Sequence, residues 1–109
     1  MTTIPILEPS ITELEMELVV ECLNSGWISS QGNFVKKFED NFSKLVCDRP
    51  CVTTCNGTTS LHLALVALGI GPGDEVILPS YTFSSCATAI VLHGGVPVFV
   101  DSSTEDFNI

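Results

Sequence analysis

The chain has 109 residues, of which 45% are hydrophobic, a composition typical of one small globular domain rather than of a disordered segment. Its formal net charge is −9 and only four residues are basic, which argues against nucleic-acid binding, because phosphate backbones are bound by clustered Lys and Arg. No apolar run is long enough to span a membrane, and no basic region followed by an apolar stretch opens the chain, so we expect a cytoplasmic protein without a secretory signal.

Two amphipathic helices are predicted in the first half of the chain. The first follows Thr12, which forms a capping-box pair with Glu15, and Gly26 is expected to end it. The second is predicted from Asn33 to Val46. The apolar side chains recur at helical spacing and consist of Met16, Val19, Val20 and Leu23 in the first helix and Val35, Phe38, Phe42 and Leu45 in the second.

The second half alternates between strand and helix patterns. Glycine-rich breaks at Gly69–Gly73 and Gly94–Gly95 separate the elements. The predicted elements are a strand over Cys51–Cys55, a buried helix over Thr58–Leu68, a strand over Glu75–Pro79, a helix over Thr82–Leu92 and a strand over Val96–Val100. Apolar strands joined by helices predict an α/β fold, a parallel-strand βαβαβ unit whose sheet is covered on both faces and which two helices precede.

In such sheets, ligands bind beyond the carboxyl ends of the strands. Three places lie there: Asn56–Thr59, Ser80–Phe83 and Asp101. For Asp101 we predict no more than a turn or helix cap.

The turn after the first predicted strand has the chemistry of an anion site. Gly57 permits a tight turn, and the first N–H groups of the following helix have no partner within the helix. They point outward at the positive end of the helix dipole, and Thr58, Thr59 and Ser60 add hydroxyl groups. A phosphate therefore fits here without Lys or Arg. The alternative is an ordinary capped helix, since Asn, Thr and Ser are favoured caps.

Tyr81 and Phe83 follow the next strand, where an aromatic ring could stack on a flat cofactor or simply pack a helix against the sheet. Neither the dinucleotide-binding glycine motif nor the P-loop is present, which argues against dinucleotide and ATP sites.

The other residues with metal-binding or nucleophilic chemistry give weaker signals. The chain has five cysteines, an odd number, so a disulfide framework is not expected. Cys47, Cys51 and Cys55 are spaced four apart, but no second pair completes a zinc site, and we predict buried or free thiols and no metal. His62 and His93 are predicted to be isolated, with His62 packed or hydrogen-bonded within its helix.

Several segments, in this order, resemble the opening third of the DegT/DnrJ/EryC1/StrS sugar aminotransferases. They are Ser25–Gly32, Phe38–Glu39, Asn56–Leu65, Ala67–Ile77, Pro79–Phe83 and Pro97–Asp101, and the match that they mark extends over essentially the whole chain. The resemblance implies that residues 1–109 form the N-terminal portion of the large domain of a fold-type-I enzyme that uses pyridoxal 5'-phosphate. It also implies a homodimer that transfers an amino group from an amino-acid donor, usually glutamate, to a keto sugar nucleotide.

The resemblance assigns roles to individual residues. Gly57, Thr58 and Thr59 match the phosphate-binding turn of the family, and Phe83 matches the aromatic residue that stacks on the pyridine ring, with Tyr81 close by. The Trp27–Ser30 segment, together with the Asn56–Thr58 turn, is most similar to perosamine synthases, which aminate a GDP-linked 4-keto-6-deoxy sugar.

One departure concerns catalysis. The family's Schiff-base lysine and the Asp that pairs with the pyridine nitrogen lie further along the chain, and Lys36, Lys37 and Lys44 belong to the second helix and do not match that lysine. We therefore expect a fragment with no catalytic residue of its own and no transaminase activity in isolation. A non-catalytic remnant or interaction module is an alternative. A desulfurase of the same fold is another, which the segment Trp27–Gly32 argues against.

Overall fold

The computed structural model describes residues 4–5 and 7–109, and these form four α-helices and two β-strands. The elements in chain order are α1 (Glu13–Asn24), α2 (Asn33–Leu45), α3 (Gly57–Ala67), β1 (Glu75–Pro79), α4 (Ser84–Leu92) and β2 (Val96–Val100). The chain divides into two compact units between Thr53 and Thr54. Within the described part of the chain, no helix combines the length and apolar character needed to cross a membrane.

The first unit contains α1 and α2. Thr12 caps α1 as predicted: its backbone N–H donates a hydrogen bond to Glu15 Oε2 at 2.6 Å, and its hydroxyl donates to the same oxygen. These bonds lower the pKa of the Glu15 carboxyl, with the hydroxyl contributing most. The helix ends at Asn24, and Gly26 has a φ of 72°, a left-handed conformation that glycine adopts without strain.

Helix α2 begins at Asn33 as predicted and ends at Leu45, one residue before the predicted Val46. Val46 is the C-cap, and the next two residues, Cys47 and Asp48, have left-handed backbones with a φ of 56°, which a helix cannot accommodate. None of the residues in α1 or α2 is fully buried. The predicted apolar stripes are therefore largely exposed, as Leu45 at 79% shows.

The strand predicted over Cys51–Cys55 is not formed, so that prediction was wrong. A β-strand requires a neighbouring strand to accept and donate its ladder of hydrogen bonds. In this structure the backbone N–H of Thr53 instead donates to the carboxylate Oε1 of Glu39 at 2.8 Å. The described second half is therefore an αβαβ arrangement, not the predicted βαβαβ.

The sheet of the second unit confirms the predicted parallel order. β1 and β2 pair in parallel with Glu75 opposite Val96 and Pro79 opposite Val100, and both strands have the predicted bounds. Helix α4 packs on both strands and on α3. Ile77 remains 62% exposed, so one face of the sheet is open, whereas the sequence predicted that both faces are covered.

The core of the second unit is small. Its fully buried apolar side chains, among the described residues, are Leu78, Ala89 and Ile90. Gly95 is also buried, and a Cβ there would lie 3.1 Å from Ile90 Cγ2, so the close packing where the chain returns into β2 favours glycine.

The helices of the second unit depart from prediction in two ways. Helix α3 contains no fully buried residue, so the prediction of a buried helix was wrong, although its bounds, Gly57–Ala67, lie within one residue of those predicted. Helix α4 begins at Ser84 rather than at Thr82, because the backbone of Phe83 is extended, with φ −65° and ψ 139°, and serves as the N-cap.

Candidate functional site

The predicted phosphate-binding turn forms the N-terminus of α3, and the Asn56 side chain caps this helix. Asn56 Oδ1 accepts hydrogen bonds from the Thr59 backbone N–H at 3.0 Å and from the Thr59 hydroxyl at 2.7 Å. The Asn56 carbonyl accepts the Ser60 N–H at 3.1 Å, and Ser60 also shares a hydrogen bond with the Thr54 hydroxyl. The cap therefore uses the donors of Thr59 and Ser60 and holds the turn in one conformation.

The two N–H groups that precede Thr59 remain available. Within the described part of the chain, the backbone N–H groups of Gly57 and Thr58 donate to no acceptor, and the Thr58 hydroxyl makes no hydrogen bond. Both residues are exposed. Two neighbouring N–H groups at the positive end of a helix are the donor set that binds phosphate without a cation. The geometry thus favours Gly57 and Thr58 as donors, while Thr59 would first have to release Asn56.

The predicted aromatic residues lie beyond the carboxyl end of β1. Tyr81 is 80% exposed and Phe83 is 86% exposed, so neither packs the helix against the sheet. Together with Thr82 they line a shallow depression of about 420 Å³. The Tyr81 ring has a neighbour, Phe107, at 6.2 Å between centroids, whereas no ring contact involves Phe83 within the described residues. Phe83 therefore presents a free aromatic face of the kind on which a flat ring can stack.

Asp101 lies at the same edge of the sheet. The Ser80 N–H donates to the Val100 carbonyl at 2.8 Å, which places the chain after β1 beside the chain after β2. The prediction that Asp101 caps a turn or helix was wrong. Among the described residues its carboxylate accepts no hydrogen bond, and the turn that follows is closed instead by Ser103 and Asp106.

His62 and His93 are not isolated, contrary to prediction. Nδ1 of His62 lies 3.0 Å from Nε2 of His93, and the rings meet edge to face with centroids 4.9 Å apart. His62 belongs to α3 and His93 is the C-cap of α4, so this half-buried bond joins the two helices. No local pattern of residues indicates this bond, because the two histidines are 31 positions apart.

The five cysteines are free thiols, and none of them is fully buried. Across residues 4–5 and 7–109, no three or more His, Cys, Asp or Glu side chains are grouped as metal ligands. Cys55 is the thiol nearest the phosphate turn in sequence, and its sulfur lies 3.1 Å from the Thr59 hydroxyl.

The first unit contains a larger cleft of about 670 Å³ between α2 and the segment Pro50–Thr53. Its best-defined polar group is the Glu39 carboxylate, whose Oε1 accepts the Thr53 N–H at 2.8 Å and the Thr53 hydroxyl at 2.9 Å. The bond from the Thr53 backbone, followed by that from its hydroxyl, holds the pKa of Glu39 below its ordinary value. The sequence did not predict this contact, which ties α2 to the segment that follows it.

The second unit thus combines a parallel β-α-β unit, a helix N-terminus with two free N–H groups, and an exposed aromatic ring. These features define an α/β protein with a candidate site for a phosphorylated, ring-bearing ligand. The chain belongs to the DegT/DnrJ/EryC1/StrS aminotransferase family, whose conserved pattern matches residues 9–109.

Similar proteins are known in both sequence and structure. The chain is 48% identical over 109 residues to a GDP-perosamine synthase of Escherichia coli O157:H7, a match that covers 100% of this chain and 30% of the relative. It is 43% identical over 106 residues to a GDP-perosamine synthase of Caulobacter vibrioides, covering 97% of this chain and 29% of the relative. The putative sugar aminotransferase Spr1654 of Streptococcus pneumoniae, in its PLP form, superposes with a TM-score of 0.88 at 38% identity, over 97% of this chain and 27% of that chain.

The chain therefore spans about 30% of the length of the curated relatives it matches. The solved structures of Spr1654 in PLP and PMP forms support pyridoxal phosphate as the cofactor of the family. The family and the α/β fold predicted from the sequence are confirmed.

Proposed function

We propose that residues 1–109 are the N-terminal portion of the large domain of an aminotransferase that uses pyridoxal 5'-phosphate. The longer enzyme transfers an amino group from an amino acid, glutamate, to a keto sugar nucleotide, a GDP-linked 4-keto-6-deoxy sugar, and acts as a cytoplasmic homodimer. The observation that carries this proposal is the pair of free N–H groups at Gly57 and Thr58, in a chain 48% identical to a GDP-perosamine synthase.

In this proposal the phosphate of the cofactor is bound at the N-terminus of α3. The N–H groups of Gly57 and Thr58 donate to it, and the Thr58 hydroxyl adds a third donor. The Asn56 cap holds these donors in place before the ligand arrives, which reduces the entropy lost on binding. Thr59 supports the turn through its bonds to Asn56, and it joins the phosphate contacts only if those bonds rearrange.

Phe83 is proposed to stack on the pyridine ring, which its exposure allows, and to shield one face of that ring from water. The cofactor, when bound, accepts electrons from the carbon atom that loses or gains the amino group. The residues of this chain bind and orient the cofactor but move no proton. The lysines near the start of the chain, Lys36, Lys37 and Lys44, lie on α2 and are exposed, and none is assigned the catalytic role.

The proposal predicts that the purified 109-residue chain has no transaminase activity. The test has two parts. The intact mass of the native polypeptide is measured in its source cell, and glutamate-dependent amination of a GDP-4-keto-6-deoxy sugar is then assayed with that polypeptide and with the 109-residue chain.

We expect a native polypeptide several times larger than this chain that is active, and an isolated chain that is inactive. Amination by the isolated chain would overturn the assignment of catalysis to residues outside it. A native polypeptide of the same mass as this chain, without activity, would favour a non-catalytic binding or interaction module.

A further inference from the structure

The His62–His93 hydrogen bond is the polar side-chain contact that joins the two helices of the proposed cofactor site. α3 carries the phosphate turn at its N-terminus, and α4 begins directly after Phe83. Nδ1 of His62 and Nε2 of His93 are 3.0 Å apart, a normal length for an N–H···N bond. No other side-chain hydrogen bond connects these helices in the described part of the chain. The relative position of the two helices therefore depends on this bond and on apolar packing.

The bond exists only in certain protonation states. A neutral imidazole has one N–H donor and one acceptor nitrogen, whereas a protonated imidazole has two donors and no acceptor. One proton added to the pair leaves an N–H···N bond intact, because one ring still accepts. A second proton removes the last acceptor and places two positive rings with their nitrogens 3.0 Å apart.

Few other groups can offset that repulsion. The elements packed around the pair contribute Cys86 on α4, Glu75 at the start of β1 and Asp74 in the preceding turn, while β2 contributes no charged residue. The Asp74 carboxylate accepts the Gly71 N–H at 2.9 Å, which holds it in its own turn. Glu75 is exposed and therefore solvated.

We propose that the His62–His93 hydrogen bond is an acid-sensitive clasp that holds α3 against the end of α4, and so fixes the spacing between the Gly57–Thr58 donors and Phe83. The effect on the ligand rests on the proposed function, whereas the clasp itself does not. Both histidines act as positioning residues, because neither belongs to the proposed ligand contacts. When both rings are protonated, the clasp opens, α3 shifts more freely on α4, and the site binds its ligand less tightly.

The chain offers a matched control for this proposal. The amide of Asn places its polar atoms where Nδ1 of a histidine lies, and the longer Gln places them where Nε2 lies. The double variant His62→Asn/His93→Gln can therefore keep a hydrogen bond between the same positions, without a group that gains a proton near neutral pH. The single variants His62→Leu and His93→Leu remove the bond.

The first measurement asks whether the bond exists in solution. In protein labelled with the heavy nitrogen isotope, an N–H···N bond produces a scalar coupling between the two imidazole nitrogens that NMR detects. We expect this coupling at neutral pH and its loss in acid, together with faster amide hydrogen exchange in α3 and at the end of α4. Absence of the coupling at neutral pH would overturn the proposal.

The second measurement follows the affinity for pyridoxamine 5'-phosphate from about pH 8 to about pH 4, which extends below the range in which a histidine ordinarily gains its proton. Since one hydrogen bond contributes a net ~0.5–1.5 kcal/mol, each Leu variant should bind roughly two- to tenfold more weakly at neutral pH. The native protein should lose a similar factor in acid relative to the amide pair. The ratio of the two affinities is independent of the protonation of the ligand, because both proteins bind the same ligand.

Equal loss in acid by the native protein and the amide pair would contradict the clasp. If neither the native protein nor any variant binds the ligand, the proposed function fails. The coupling and the hydrogen exchange then still decide whether the clasp exists. The amide pair and the coupling also keep the test decisive where a Leu variant fails to fold.

Discussion

Replacement of Gly57 by proline tests the proposed phosphate site by removing one hydrogen-bond donor, the backbone N–H of residue 57. Gly57 is the first residue of α3, a position where proline is well tolerated because its missing N–H has no partner within the helix. The residue before a proline must be extended, and Asn56 already is, with φ −166° and ψ 170°. Gly57→Pro should therefore preserve the helix and remove one of the two free N–H donors.

The expected loss of affinity follows from the number of donors. A hydrogen bond to a charged group contributes ~1.5–3 kcal/mol, and each ~1.4 kcal/mol corresponds to a tenfold change in affinity. Gly57→Pro should therefore weaken the binding of pyridoxamine 5'-phosphate by about 10- to 150-fold. Gly57→Ala is the matched control, because it keeps the N–H and its Cβ would meet no atom within 4 Å.

The assay is calorimetric titration of each variant with pyridoxamine 5'-phosphate and with pyridoxamine, neither of which has an aldehyde that could react with surface lysines. Circular dichroism confirms that α3 is retained. The loss should be confined to the phosphorylated ligand, and Gly57→Ala should bind within about threefold of the native protein, since it removes no donor. An equal loss for both ligands, or an unchanged affinity for the phosphorylated one, would refute the placement of the phosphate at this turn.

Three further predictions concern other parts of the chain. Phe83→Leu should weaken the binding of pyridoxamine and of its phosphate by the same factor, roughly two- to tenfold, since ring contacts contribute ~0.5–1.5 kcal/mol. An effect on one ligand alone would count against stacking. Ile90→Ala should destabilise the protein by ~2–5 kcal/mol in urea unfolding, and Val91→Ala, at an exposed position, by less than ~0.5 kcal/mol. Bonds from Thr53 lower the pKa of Glu39, so the stabilisation that this carboxylate contributes is present above its ordinary pKa of 4.5 and is lost as pH falls through the lower pKa of the folded state. Glu39→Ala should therefore make the free energy of unfolding, measured against pH, fall less steeply in acid.

The elements that the sequence predicted well are those with local signals. The starts of β1 and β2 were correct because a glycine turn precedes each apolar run, and the start of α1 was correct because Thr12 and Glu15 bond to each other over three positions. The Asn56 cap is equally local, so the capped start of α3 could be predicted from the residues alone. A local signal gives a reliable boundary because no distant residue has to be placed first.

The predictions that were wrong concern features that depend on residues far apart in the sequence. Cys51–Cys55 has strand-forming residues, but whether it becomes a strand depends on a neighbour elsewhere in the chain, and here Thr53 bonds to Glu39 instead. The helical stripes marked apolar faces correctly, yet periodicity does not say what covers a face, and Leu45 and Leu68 remain exposed. The His62–His93 bond depends on the packing of α3 on α4, and the sequence around either histidine does not predict that packing.

The acidity of the chain and the proposed phosphate site are compatible for a physical reason. The second unit, Thr54–Ile109, contains no Lys or Arg, and its two histidines are paired with each other, so its own residues bind a dianion at neutral pH with neutral donors. Helix N–H groups meet this need, because their partial positive charges act over a few ångströms and do not change the net charge. The Asn56 cap contributes further by consuming the donors of Thr59 and Ser60, which leaves the N–H groups of Gly57 and Thr58 as the site's outward-facing donors. Any full positive charge that neutralises the phosphate must therefore come from residues outside this unit.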